Sequence, residues 1–335
     1  MRGYVIRRTE NLYHGAMLMA LHIDGKRLDD PSHVYVIAEA AGSHCQEYEK
    51  AEELVYAAAN VEVDAVKFQL ITPELICADI PLPFGVNTEH DTWLKSLGVT
   101  RMRELFAKGG LPREWCKPLK ALAESLGIAW LCTPFSVEEA KFLVEDVHVG
   151  GLKIASGDLT FTPLLEYAAG TGLPIILSTG GATFVEVADA VYGPLYGAYC
   201  DNHLSILHCC SAYPADETII NLNAIKTLSA FNMPIGFSDH TLSVDVVPVL
   251  AIANGARIIE KHIRLEHDYE SVDAAHSLPP SQFSKFVEVI RQVPAILGHG
   301  KKEPHASEMH DRLFARRDPS DWLRPQMRGR EGAWE

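Results

Sequence analysis

From about residue 32 the chain alternates short apolar runs with longer segments of helical spacing. Val34-Tyr35-Val36-Ile37-Ala38 reads as a buried strand ending at Glu39. Ala51, Leu54, Val55 and Ala58 then fall at i, i+3, i+4 and i+7, the apolar stripe of a helix. A second strand spans 65–69. A long polar connection from 72 to about 112 follows, containing Pro81-Leu82-Pro83-Phe84-Gly85, and loops of that length usually carry function or move. A helix over about 113–126 leads to a strand at 129–135. Further strands follow at 152–156, 174–178, 204–208, 234–238 and 256–260. Phe283, Phe286, Val287 and Ile290 mark the face of a helix after the last of them.

Eight strands, most separated by one helical segment, predict a parallel sheet, and closure into a (β/α)8 TIM barrel removes its edges. An open doubly wound sheet is the alternative, but no Gly-x-Gly-x-x-Gly follows the first strand. The expected organisation is therefore a barrel domain over 32–304 between two extensions. In residues 1–31, Tyr4-Val5-Ile6 and Leu21-His22-Ile23 are expected to pair as a hairpin, with Asp24-Gly25 as the turn signal. Residues 305–335 read as an irregular tail, basic and aromatic from Arg312 onward.

Composition narrows the function. A formal charge of -14 over 335 residues excludes a nucleic-acid or anionic-membrane partner. It leaves room for an anionic small molecule where lysines cluster. The seven cysteines follow no Cys-x-x-Cys spacing, which argues against a disulfide framework and for a reducing cytoplasm. Cys209-Cys210 reads as strand core. No apolar run approaches ~18 residues and no signal-peptide pattern opens the chain, so a soluble cytoplasmic protein is expected.

In such a barrel the active site lies at the C-terminal ends of the strands. Glu39, Lys67, Gln69, Thr133, Lys153, Ser156, Ser178, Thr179, Ser211, Tyr213, Ser238, Asp239, His240, Glu260 and His262 stand there. Lysines in apolar strands are expensive to bury unless a permanent anion awaits them. With four hydroxyls (Thr133, Ser156, Ser178, Ser238) and the glycines Gly157 and Gly180, they describe a phosphate cradle. The alternative is an ion network of the lysines with Glu39 or Glu260, which would not need so many hydroxyls. His240 and His262, each beside or near an acid, suggest a divalent-metal platform with Asp239 and Glu260 as possible orienters of the imidazoles.

The motifs VIAEAAGSH, DAVKFQ, CTPFS, LKIASGDLT, PIILSTGGAT, LHCCSAYP, IGFSDHTLS and IIEKHI occur in this order. On them the chain, from about 23 to 308, resembles the sialic acid synthase family: N-acetylneuraminate, legionaminic and pseudaminic acid synthases and spore-coat homologues. The resemblance implies metal-dependent condensation of phosphoenolpyruvate with the open-chain aldehyde of an N-acylated hexosamine, N-acetylmannosamine-like, giving a 2-keto-3-deoxy sugar acid and phosphate. By motif, Lys67, Thr133, Lys153, Ser156, Ser178, Ser211 and Ser238 fall where the family holds phosphoenolpyruvate. His240 and His262 fall on its metal ligands, for Mn2+ or Mg2+. Gln69, Tyr213 and Asp273 fall on sugar contacts, and Glu39 on the reacting centre, where it would position the enol or relay protons. With the two histidines it completes the implied catalytic set.

The chain departs from the family pattern in three places. The usual Asn-His-Asn-Gly is Ser43-His44-Cys45-Gln46 here, Gly-Pro-Asp is Ser271-Val272-Asp273, and position 211 is Ser where some members have Asn. The chain is also expected to lack the family's C-terminal antifreeze-protein-like domain, which swaps onto a partner's barrel and delivers an arginine. Arg312, Arg316 or Arg317 are the candidates to replace it, and a homodimer is the implied assembly. Three other readings stay open: the same chemistry on a different aldose, a non-catalytic ligand-binding partner subunit, and a metal aldolase using pyruvate, against which the two lysines and the hydroxyls argue.

Overall fold

The eight strands inferred from the apolar runs are all present in the computed structural model, which describes residues 21–82 and 88–326. Two short strands come first, β1 (His22–Ile23) and β2 (Lys26–Arg27). Then follow β3 (Tyr35–Glu39), β4 (Ala65–Leu70), β5 (Ala129–Pro134), β6 (Leu152–Ile154), β7 (Ile175–Ser178), β8 (Leu204–Cys209), β9 (Ile235–Asp239) and β10 (Ile258–His262). The last eight form one parallel sheet in the order β5-β4-β3-β10-β9-β8-β7-β6, and its two end strands, β5 and β6, lie side by side. The sheet is thus nearly closed into a barrel.

Strand alternation divides the barrel. Inward-facing Tyr35, Ile37, Ala65, Ala129, Leu131, Ile176, Leu207 and Ile258 form one apolar cluster with Leu21, Ile23 and Leu28, which come from around the hairpin. Outward-facing Val36, Val66, Phe68, Trp130 and Ile259 join a larger core with the helices, including Ala51, Leu54, Val55 and Ala58 of helix Tyr48–Asn60. Gly236 leaves space for the inner layer: a Cβ there would collide with Leu207 and the backbone of Ile258.

Tyr4-Val5-Ile6, the expected partner of Leu21-His22-Ile23, lie outside the described residues. β1 pairs with β2 across a two-residue turn in which Asp24 (φ 47°) and Gly25 (φ 80°) are both left-handed. That turn matches strand twist and joins immediate neighbours in sequence. The connection from 72 to 112 is not simply loop. It holds helices Pro73–Ile76, Thr88–Ser96 and Met102–Gly109, the last started by Glu104, whose carboxylate accepts from the amides of Thr100 (2.8 Å) and Arg101 (3.0 Å).

Residues 297–335 form a separate unit, and within the stretch expected to be irregular, Met309–Ala315 is helical. Among the described residues no helix is long and apolar enough to cross a membrane.

Beneath the apolar layer, Arg291 of helix Pro280–Leu297 ties three segments together. Its guanidinium donates to the carbonyl of Val34, to that of Glu62 (3.0 Å) and to the Asp64 carboxylate (2.9 Å). Asp64 also accepts from the Val36 amide at 2.8 Å and faces the His33 ring at 3.0 Å. Burial pushes the Asp64 carboxyl up, but His33, Arg291 and the amide outweigh it and hold the pKa at about 2, below its ordinary 3.8. A depressed carboxylate contributes stability above its unfolded pKa, and that contribution disappears as pH falls through the folded value. Asp64→Asn should therefore cost about 1–3 kcal/mol in urea unfolding at pH 7. The deficit should shrink between roughly pH 4 and pH 2, and one that stays constant over that range would contradict the clamp.

Candidate active site

The same period of two that packs the lower barrel turns polar residues inward at its upper end. Glu39 lies opposite both Lys67 and His262 in the sheet register, Gln69 opposite Thr133, and Glu260 opposite Ser238. They open on a cavity of about 560 Å³ whose lining includes Glu39, Lys67, Gln69, Thr133, Lys153, Ser156, Ser178, Ser211, Tyr213, Ser238, His240, His262 and Asp273. Every site residue singled out in the sequence is thus brought to one place. Thr179 and Asp239 are the exceptions among the wider strand-end residues. Thr179 points away, donating to the carbonyl of Leu207 at 2.9 Å.

The lysines are not left waiting for an anion. Lys67 pairs with the Glu39 carboxylate, lies 3.6 Å from Glu260 and donates to Thr133 Oγ1 at 3.1 Å. Lys153 donates to Ser178 Oγ at 2.7 Å and lies 3.9 Å from Glu260. Ser238 donates to Glu260 at 3.1 Å, and Gln69 to Glu39 at 3.0 Å. The ion network and the hydroxyl cradle therefore coexist, where the sequence reading had set them against each other. Two ammonium groups and two carboxylates, all nearly inaccessible to solvent, neutralise one another. Burial lifts the Glu39 carboxyl to about 7 against the pull of Lys67, with Glu260 adding to the rise. Burial lowers Lys153, and Glu260 only partly offsets it.

Close backbone approach completes the cradle. The amide of Gly180 donates to Ser156 Oγ at 2.9 Å, and a Cβ on Gly180 would run into Ser211, Cys209 and Ser156. Cys209, read as plain strand core, ends β8 on the cavity wall.

The histidines stand together, their ring centroids 5.5 Å apart. His240 Nδ1 donates to the carbonyl of Cys210 at 2.8 Å, which leaves the Nε2 lone pair free. Burial lowers the pKa of His240 to about 4 and that of His262 well below its ordinary value. Both imidazoles are thus neutral, the form that ligates metal. The expected orienters do not play that part. Asp239 adjoins His240 on β9, so the pleat turns it to the other face, where it pairs with Lys261 at 2.8 Å. Glu260 serves the lysines. A third imidazole, His276, escaped the sequence reading. It lies 4.5 Å from His262 between ring centroids, and His262, Asp273 and His276 bring ligand atoms within 4.8 Å of one another. Buried ring nitrogens without a hydrogen-bond partner on His262 and His276 fit a cation at this position.

The model of the NeuB family matches residues 54–302. The chain belongs to the NeuB family. An uncharacterized protein of Methanocaldococcus jannaschii is 40% identical over 284 residues, covering 84% of this chain and 77% of the relative. N,N'-diacetyllegionaminic acid synthase of Legionella pneumophila is 35% identical over 288 residues, covering 84% of this chain and 78% of the relative. Among solved structures, the N-acetylneuraminic acid synthetase of Leptospira borgpetersenii in complex with citrate matches with a TM-score of 0.75. It is 33% identical, and the match covers 89% of this chain and 96% of that one.

Two of the stretches read as departures from the family pattern, Ser43–Gln46 and Ser271–Val272, lie in one region. In the loop after β3, Cys45 (φ 50°) and Gln46 (φ 62°) adopt the left-handed conformation that Asn and Gly take more readily. The Gln46 side chain compensates by donating to the carbonyls of Gly110 (2.6 Å) and Lys108 (3.2 Å), tethering the end of helix Met102–Gly109 beside the cavity. Ile76, Leu105 and Phe106 supply apolar cavity wall from the connection expected to be loop, beside Ile71 just before it.

The ion network yields a stability prediction. Lys67→Met would leave Glu39 and Glu260 with only Lys153, 3.9 Å from Glu260, to balance them. It should cost about 3–5 kcal/mol in urea unfolding at pH 7, the range for removing one partner of a buried pair. A loss below about 1 kcal/mol, the range of surface pairs, would show that the carboxylates do not depend on Lys67.

Proposed function

We propose that this protein condenses phosphoenolpyruvate with an open-chain sugar aldehyde, giving a 2-keto-3-deoxy sugar acid and inorganic phosphate. One observation carries the reading: two buried lysines share a cavity with serine and threonine hydroxyls, next to a group of neutral histidines. Relatives named as legionaminic, pseudaminic and N-acetylneuraminic acid synthases support it.

Lys153, with Ser156, Ser178 and the Gly180 backbone, would hold the anionic groups of phosphoenolpyruvate. Lys67 and Thr133 would neutralise its charge from the other side. As the anion takes over the ammonium groups, Glu39 and Glu260 lose part of their pairing. Glu39, whose carboxyl sits near neutrality, can then hold or release a proton at the water that adds to C2. The C3–aldehyde carbon bond forms and the aldehyde oxygen takes a proton. Water adds at C2, and the C2–O bond to phosphate breaks. Gln69, Tyr213 and Asp273 line the part of the cavity assigned to the sugar. A divalent cation held by His240 and His262 would supply Lewis-acid polarisation of the aldehyde oxygen. The hydroxyls and both lysines act throughout the sequence, so they aid binding and accelerate the reaction only where their contacts tighten in the transition state.

The test is phosphate release from phosphoenolpyruvate with N-acetylmannosamine, its diacetamido relatives and simple pentoses, with and without EDTA. Release with at least one aldose, abolished by EDTA and restored by Mn2+, is the expected result; release with none would remove the proposal. Glu39→Gln should lower kcat on the order of 10²–10⁴-fold, the usual scale for a positioned acid–base group. Lys153→Met should raise the KM for phosphoenolpyruvate far more than that for the aldose, and the opposite split would displace the cradle.

A further inference from the structure

His276 lies just beyond β10, at the end of the short turn Ala274–His276, and is 2% exposed. Its Nδ1 has no hydrogen-bond partner, and its Nε2 faces Asp273 Oδ1 at 3.4 Å without a well-formed hydrogen bond. A buried imidazole nitrogen left unsatisfied is destabilising. Native interiors rarely leave such groups without a function. Its surroundings indicate what satisfies it. The His276 ring lies 4.5 Å from His262 and 6.2 Å from His240 between centroids, and His262 Nδ1 is also without a partner. Asp273 is held in place by the Gly42 amide, which donates to Oδ2 at 2.8 Å, leaving Oδ1 turned to the imidazole.

We propose that His276 is a third imidazole ligand of a divalent cation, acting with His262 and Asp273 while His240 approaches from the adjoining strand. This deepens the reading above by sharing its cation, but it requires neither phosphoenolpyruvate nor a sugar. Three nitrogens and one carboxylate leave coordination positions open on a six-coordinate ion. They also favour Co2+, Zn2+ or Mn2+ over Mg2+, which prefers carboxylate and water oxygens. Asp273, placed by resemblance on the sugar, would then act through the cation.

The full chain, stripped by chelator and dialysed, would be titrated with Co2+ by calorimetry and followed by visible absorption. The expected result is one Co2+ per chain, bound at least about tenfold more tightly than Mg2+. His276→Gln should weaken Co2+ at least about tenfold and change the absorption bands, with the metal-free melting temperature retained. Unchanged affinity and spectrum in that variant, or no Co2+ bound by the wild type, would overturn the proposal. If the variant does not fold, nitrogen NMR of the wild-type imidazoles with Zn2+ decides: His276 shifting with His262 supports the set, and an unshifted His276 removes it. Co2+ binding that depends on His276 without phosphate release from any aldose would keep this ligand set and refute the condensation. Phosphate release with Co2+ binding indifferent to His276 would do the reverse.

Discussion

Two ammonium groups buried at the end of an apolar barrel are the constraint on which the rest of this structure depends. Each would be destabilising by several kcal/mol if left alone. The chain meets that cost with two carboxylates from the neighbouring strands β3 and β10 and with hydroxyls from β5, β7 and β9. The resulting network gives each charge a partner from within the fold. An anion entering the cavity must take the lysines from Glu39 and Glu260, and the hydroxyls then decide whether it is held as well as the carboxylates it displaces.

The lower half of the barrel sets the frame for that network. The hairpin plug, the close approach at Gly236 and the Arg291 clamp fix the strand register. Five inward residues of the upper layer inherit their position from an apolar residue two places earlier. Glu39 follows Ile37, Lys67 follows Ala65, Thr133 follows Leu131, Ser178 follows Ile176, and Glu260 follows Ile258. One alternation therefore sets both stability and site geometry.

That is also why so much was legible in the sequence. Strands buried on both faces are written as apolar runs, and a polar residue ending such a run can only face the cavity or the helices. What failed was local. Asp239 looked like a partner of His240 because it is its neighbour, yet adjacent residues on a strand face opposite ways. His276 gave no periodic signal, since it ends a three-residue turn beyond the last strand; its spacing of three from Asp273 was the only available hint. The helices between 72 and 112 are short and polar, and their apolar residues read as scattered until tertiary packing collected Leu94, Val99 and Val272 into one small cluster.

Two departures from the family pattern, far apart in sequence, meet in space. A Cβ on Gly42 would touch Val272 at 2.8 Å, Asp273 at 3.0 Å and the Cα of Gly109 at 3.0 Å. Gln46, in the same loop, holds the carbonyls of Lys108 and Gly110. The altered Ser43-to-Gln46 loop and the altered Ser271-Val272 pair thus build a single wall, with helix Met102–Gly109 as its third side. The lysines and hydroxyls of the charge network stand on β4 to β9. Because the two regions are carried by different segments, the wall can change shape without disturbing the charge balance around Lys67 and Lys153.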